Sequence, residues 1–382
     1  MTKTLENTRF YRPELDALRF FAFICVFFFH FMDYVPVDKN SQPIFHTFCT
    51  TGAFGVPIFF LLSSFLIVEL LLRELDKTKT INIKSFYTRR ILRIWPLYFA
   101  VFFGLLILGQ FIPNIATNSV PAWLAFIFFY GNWYIFQFGW IGGPIDPLWS
   151  IAVEEQFYLA IPLVTKLGGR KLLTKVSVVL IIISYGLCVY YAKLEYSGES
   201  GQWLNSFFQF QFFAAGALLA IFLKGKIPNW NILTRSILFT AAISCWFFAV
   251  YGLGVKSYDG HPTVFGAIVG WLLVLIGAIL FFITTLGVSQ KFVPKGLVYL
   301  GRISFGLYMF HSLIFHLIFH NLRSYWEKPL ILFQFSSTTI AIVGTVLVFA
   351  ITVGLASVSY RYFERPFLKI KERFAIINSR PE

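Results

Sequence analysis

Three ionisable residues stand inside apolar runs, where a charge costs several kcal/mol to keep. They are His30 in Phe27-Phe-Phe-His30, Glu154 in Trp149-Ser-Ile-Ala-Val-Glu154, and His311 in Tyr308-Met-Phe-His311. An imidazole placed this way suits general-base work near pH 7. Ser150 stands four residues before Glu154 and shares its helix face, whereas the adjacent Glu155 does not. His316 and His320 read as ordinary interfacial residues.

A second group of interest is basic: Thr88-Arg-Arg-Ile-Leu-Arg-Ile-Trp-Pro96. Arg90 and Arg93 are spaced i, i+3 and share a face. Two guanidiniums there can grip the phosphates of a donor bidentately, with Arg19 joining them from the first helix. Plain anchoring of a helix end by positive charge is the competing account. Asp16 is read as a salt-bridge partner of Arg12 or Arg19. No Gly-x-x-x-x-Gly-Lys-Ser/Thr loop and no His-Glu-x-x-His spacing occurs, so neither ATP-driven nor metal chemistry is supported. The expected metal set is none.

These residues need elements to hold them, and composition says which kind. Of 382 residues, 57% are hydrophobic and only 13% charged, with a mean hydropathy of +0.71. That is about half the charge of a soluble domain. The expected fold is all-α: a polytopic transmembrane bundle of ten helices, at about 18–35, 53–72, 92–111, 148–166, 176–192, 205–223, 233–253, 263–286, 297–319 and 335–358. Short alternating segments of a β-barrel are missing. The net charge of +14 comes from Lys and Arg between spans, not from a compact basic domain, so nucleic acid is not an expected partner. Cys25, Cys49, Cys188 and Cys245 are scattered and form no CxxC pattern. The first apolar run lacks a small-residue cleavage site and reads as a retained helix.

Lys and Arg gather in alternate loops, among them Arg73 to Arg93, Lys166 to Lys175 and the tail from Arg361. This puts both termini in the cytoplasm. The chain is read as one domain, 1–382, with a cytoplasmic segment 1–17, a bundle 18–358 and a cytoplasmic tail 359–382. Residues 112–147 carry no Lys or Arg and are rich in Trp, Pro and Gly. They read as an outer-face loop with an interfacial or re-entrant helix. On a rise of about 1.5 Å per residue, His30, Glu154 and His311 each fall roughly 18–20 Å from the cytoplasmic edge, in one slab.

At these residues the chain resembles the membrane acyltransferase-3 family, enzymes that O-acylate sugars and related acceptors. Arg19 precedes His30 with ten residues between them. Gly55-Val-Pro-Ile-Phe-Phe-Leu-Leu-Ser-Ser-Phe-Leu-Ile67 resembles the second-helix motif. Arg90-Ile-Leu-Arg93 with Pro96 matches the paired-arginine motif, and Leu148 to Tyr158 the serine, three residues, glutamate pattern. Ser304 to His311 and Tyr362-Phe-Glu-Arg-Pro366 resemble the last two spans. Pro57 and Ser64 depart from the usual acidic residue and glycine, which bears on packing of the second helix. Some members carry a C-terminal extracytoplasmic esterase-like domain, and none is expected here.

The resemblance implies acyl transfer in a bacterial inner membrane, from cytoplasmic acyl-CoA, most often acetyl-CoA, to a hydroxyl on a glycan or lipid-linked glycan. His30, Glu154 and Ser150 would be catalytic, with His30 as general base or acyl carrier, and Arg19, Arg90 and Arg93 would bind the donor. Glu155, Tyr158, Tyr308 and His311 are further substrate-site candidates. Membrane lipids are the remaining partner. The alternatives are a transporter or exporter of a polar solute or glycan using the same buried residues, or an acyltransferase acting on a small molecule or lipid-linked intermediate.

Overall fold

A computed structural model describes residues 10–35, 40–117, 119–194, 201–256 and 262–377. Lys3, Arg9, Lys39 and Arg380, counted in the charge pattern, lie outside the described residues. The chain is all-helical. In order come α1 (Pro13–Phe31), α2 (Pro43–Thr51), α3 (Gly55–Thr78), α4 (Ile83–Leu108), α5 (Val120–Ile127), α6 (Gly131–Phe138), α7 (Trp149–Lys193) and α8 (Gly201–Leu204). Then follow α9 (Ser206–Leu223), α10 (Ile232–Tyr251), α11 (Val264–Thr285), α12 (Lys295–Arg302), α13 (Ser304–His316), α14 (Arg323–Leu332), α15 (Ser337–Val358) and α16 (Arg365–Glu372).

Among the described residues, seven helices are long and apolar enough to cross a membrane, or eight if the bent pair α12–α13 is one span. Ten were expected, and the difference has two sources. The expected spans 148–166 and 176–192 are two helical segments, joined in α7 across a kink at Gly169 (φ 52°, ψ −144°), that count as one in this total. That positive φ favours glycine, which breaks the helix and turns the chain there. The other source is α1, whose short length includes Glu14, Asp16 and Arg19.

Further boundaries moved. Helix α1 begins at Pro13, whose ring suits a first helical position. It therefore ends at Phe31, and His30 sits in its last turn instead of near the middle of a span. The single straight span expected at 297–319 is bent by 70° at Ile303. The loop 112–147 folds into α5 and α6, with Ser119 capping α5 through the Ala122 N–H.

Helix α3 is the centre of the bundle, buried against α1, α7, α9 and α11, while α10 presents most of its surface outward. The two departures in α3 are absorbed locally. Pro57 falls in the first turn, where a missing N–H costs little. Ser64 donates a hydrogen bond to the Phe213 carbonyl of α9 at 2.6 Å.

Helix α12 meets α1 at Gly301, where a Cβ would lie 1.7 Å from the Asp16 carbonyl oxygen. Only a hydrogen fits, so the backbones touch, as small residues allow between membrane helices. Gly301→Ala is expected to lower stability by about 1–3 kcal/mol through forced separation of α1 and α12. Thermal unfolding of the purified protein in detergent checks this; an unchanged midpoint would show that the contact gives way at no cost.

Candidate active site

Two cavities inside the bundle contain most of the singled-out residues, and they share one wall. The inner cavity, about 110 Å³, is lined by Arg19 of α1, Ser63 of α3, Arg90 and Arg93 of α4, Ser150, Glu154 and Tyr158 of α7, and Ser304 and Tyr308. The spacing 150, 154, 158 places three polar side chains of α7 on one stripe, as i, i+4 steps require. Ser63 and Tyr158 both donate hydrogen bonds to Glu154 Oε1. The Arg90 guanidinium lies over the Tyr158 ring, 5.8 Å from its centroid. Arg19 Nη1 bonds Asp16 Oδ1 at 2.8 Å, and Tyr11 donates to the other Asp16 oxygen at 2.9 Å. Of the two arginines offered for Asp16, the structure shows Arg19 bound to it.

The outer cavity, about 420 Å³, is lined by His30, Asp33, Tyr34, Trp140, Asp146, Tyr308, His316 and His320, among others. His30 Nδ1 lies 3.0 Å from Asp33 Oδ2. A carboxylate accepts only, so Nδ1 carries the proton and Nε2 is left as the basic nitrogen. Asp146 gathers the N–H groups of Ile141, Gly142 and Gly143 at 2.8 to 3.3 Å, which folds the loop before α7 over the cavity. Burial, then the carboxylates of Asp33 and Asp146, push the Tyr34 phenol above its usual range. It stays protonated at physiological pH.

Tyr308 and Val56 border both cavities. The Tyr308 hydroxyl is 2.6 Å from Ser150 Oγ and donates to the Pro147 carbonyl at 3.0 Å. It therefore stands at the border where the arginine end and the histidine end meet.

The expected arrangement needs four corrections. Glu154 is not beside His30; it is bound by Ser63 and Tyr158, and the carboxylate on His30 is Asp33. His30 and Glu154 accordingly line two different cavities and not one shared site. Glu155 lines neither cavity; its Oε2 accepts from Trp95 Nε1 at 3.0 Å on the α4 side. His311 is fully buried behind the wall, with Nδ1 donating to the Tyr308 carbonyl at 2.6 Å and its ring 5.1 Å from that of His30.

Sequence reasoning passed over several residues the structure gathers here. His316 and His320, read as interfacial, line the outer cavity with their rings 4.8 Å apart. Asp33 stands three residues after His30, a spacing that was a usable signal. Asp146 is the only charged residue in 112–147, which also marked it. Ser63, within an apolar run, carried no such mark. Among the described residues no three His, Cys, Asp or Glu side chains are grouped to hold a metal ion.

Chemically, the arrangement offers a cationic pocket at one end, a carboxylate-oriented imidazole at the other, and a hydroxyl-bearing wall between. Residues 12–359 match the family described as an acyltransferase domain. A Staphylococcus aureus (strain MSSA476) protein provisionally named an O-acetyltransferase is 28% identical over 100% of this chain and 61% of its own length. The peptidoglycan O-acetyltransferase OatA of Listeria monocytogenes is 27% identical over 97% of this chain and 58% of its own. The O-acetyltransferase OatA of S. aureus strain NCTC 8325 is 26% identical over 94% and 57%. The chain thus spans about three fifths of the length of the curated relatives it matches. No solved structure matches it.

Proposed function

Since the chain belongs to the acyltransferase-3 family, we propose that it moves an acetyl group from cytoplasmic acetyl-CoA to a hydroxyl of a cell-wall glycan. The observation that carries this reading is the pair of cavities meeting at Tyr308, one with arginines and one with His30. A donor with a phosphorylated head and a long thioester arm needs cations at one end and a base at the other. Names of the relatives support acetyl as the group moved, and one of them names peptidoglycan as its polymer. The charge pattern of the loops supports both termini in the cytoplasm, the bacterial relatives support an inner-membrane location, and the family match over residues 12–359 supports 18–358 acting as one unit.

In this reading Arg19, Arg90 and Arg93 take the donor's phosphates, a task suited to guanidinium forks. Glu154 holds the Ser63 and Tyr158 hydroxyls beside the arm, and Ser150 fixes the Tyr308 hydroxyl where the thioester carbonyl arrives. The acceptor hydroxyl enters the outer cavity past Trp140. His30 Nε2 takes its proton as its oxygen attacks the thioester carbon. The carbon–sulfur bond then breaks, and the sulfur takes the proton back from His30, giving the ester and free CoA.

The test gives purified protein radiolabelled acetyl-CoA and peptidoglycan glycan fragments. Label on the glycan with release of CoA supports the reading; label retained on the protein alone, or no consumption of acetyl-CoA, overturns it. Asp33→Asn refines it. The amide oxygen still accepts from Nδ1 but no longer stabilises the imidazolium, so kcat is expected to fall about tenfold with KM unchanged. The loss stays far below the ~10⁴-fold of a buried triad aspartate, because Asp33 is 42% exposed and water screens it. Equal loss in kcat and gain in KM would instead mark Asp33 as an acceptor-binding residue.

A further inference from the structure

Four residues of α13 and the turn that follows it line the outer cavity at steps of four: Tyr308, Ser312, His316 and His320. In an α-helix four residues overshoot a full turn by about 40°, so such a stripe drifts around the axis. Here the drift is offset, because Leu317–Asn321 is wound as a π-helix, which turns less per residue. At about 1.5 Å per residue the stripe covers roughly 18 Å. His30 stands near its inner end, with its ring 5.1 Å from that of His311. At the outer end the exposed His320 meets the Tyr34 ring at 5.2 Å. The reacting centre therefore occupies only the inner part of the cavity.

Two features of the remaining part point to a ligand. His316 is only 6% exposed, yet its Nε2 has no hydrogen-bond partner among the described residues, although the Pro113 carbonyl holds the ring. Buried polar atoms are nearly always partnered, so this ring on the cavity's side carries hydrogen-bonding capacity that the fold leaves unused. The second feature is charge. Among the described residues the lining includes no lysine or arginine, and its two carboxylates are already engaged. Asp33 holds His30, and Asp146 holds three backbone N–H groups. Imidazoles, hydroxyls and the indole of Trp140 remain. A few placed polar groups opposite an aromatic surface suit a ligand with many hydroxyls and apolar C–H faces. No fixed cation is there to balance a phosphate or a carboxylate.

We infer that the outer cavity takes an uncharged glycan as a chain of at least two sugar units. The reacting unit lies at His30, and the next lies along Ser312, His316 and His320, against Trp140. This rests on the acceptor reading above and adds to it that a chain, and not a single sugar, is the substrate.

The test gives the purified full chain labelled acetyl-CoA and β-1,4-linked N-acetylglucosamine oligomers of one, two and four units. From one unit to two, kcat/KM is expected to rise about tenfold, chiefly through KM. His316→Leu should bring that ratio close to one, whereas His316→Gln, whose amide still donates and accepts, should keep most of it. His320→Leu removes the exposed outer rung without touching the core and should cut the ratio as well. CoA affinity by calorimetry reports whether each variant is folded. Equal kcat/KM at all lengths, or a ratio that survives both leucine variants, overturns the inference while acetyl transfer stands. Label on peptidoglycan fragments but on none of the oligomers does the same. If nothing is acetylated, the acceptor reading falls and this inference with it.

Discussion

Replacing His30 by alanine slows acetyl transfer by about 10²- to 10⁴-fold, the usual contribution of a positioned general base. Acetyl-CoA affinity stays unchanged. Both halves of this expectation follow from where the residue sits. His30 lines the outer cavity, whereas Arg19, Arg90 and Arg93 line the inner one. Its side chain is 22% exposed and lies in the last turn of α1, so truncation removes a base without opening a hole in the core. His30→Gln is a useful companion: it keeps bulk and a hydrogen bond to Asp33 but supplies no base. Initial rates of label transfer, set beside calorimetric affinity, separate the outcomes. Full activity in His30→Ala would sink the mechanism; lost CoA binding would move the imidazole to the donor side.

The second large effect is on donor binding. Arg90→Ala with Arg93→Ala is expected to weaken CoA about 100-fold, roughly 2.7 kcal/mol. That is within the range for losing charged hydrogen bonds to phosphate, each about 1.5–3 kcal/mol. The lysine pair should recover only part of this, since an ammonium offers charge without the planar fork. Arg90 also lies over the Tyr158 ring, so the melting temperature is to be measured alongside. Unchanged CoA affinity would return both arginines to anchoring a helix end. Salt separates the accounts further: phosphate contacts weaken as ionic strength rises.

Much of the molecule was legible before any coordinates, because the signals are local. Apolar runs about 20 residues long can only be membrane helices, whatever they pack against. The all-α bundle and the family follow from those runs and from short motifs read in order. The stripe of Ser150, Glu154 and Tyr158 is likewise local, since helical periodicity alone aligns them. These three do line one cavity.

What sequence could not supply is which stripes face each other, and at what height. Counting along the chain assumed straight helices with the expected starts, and two helices depart from that. Helix α1 begins at Pro13, which carries His30 to the helix end beside Asp33. The segment 295–321 bends by 70°, which sets Tyr308 against Ser150 where the two cavities meet. A shift of a few residues moves a side chain by about 1.5 Å each and rotates it by a fraction of a turn, enough to change its cavity. Glu155 shows the same limit from the other side: one residue from Glu154, it faces Trp95 and another helix. The residue types and their order along each helix belong to the sequence. Their division into an arginine chamber and a histidine chamber arose only when bends and close contacts such as Gly301 on Asp16 set the helices against one another.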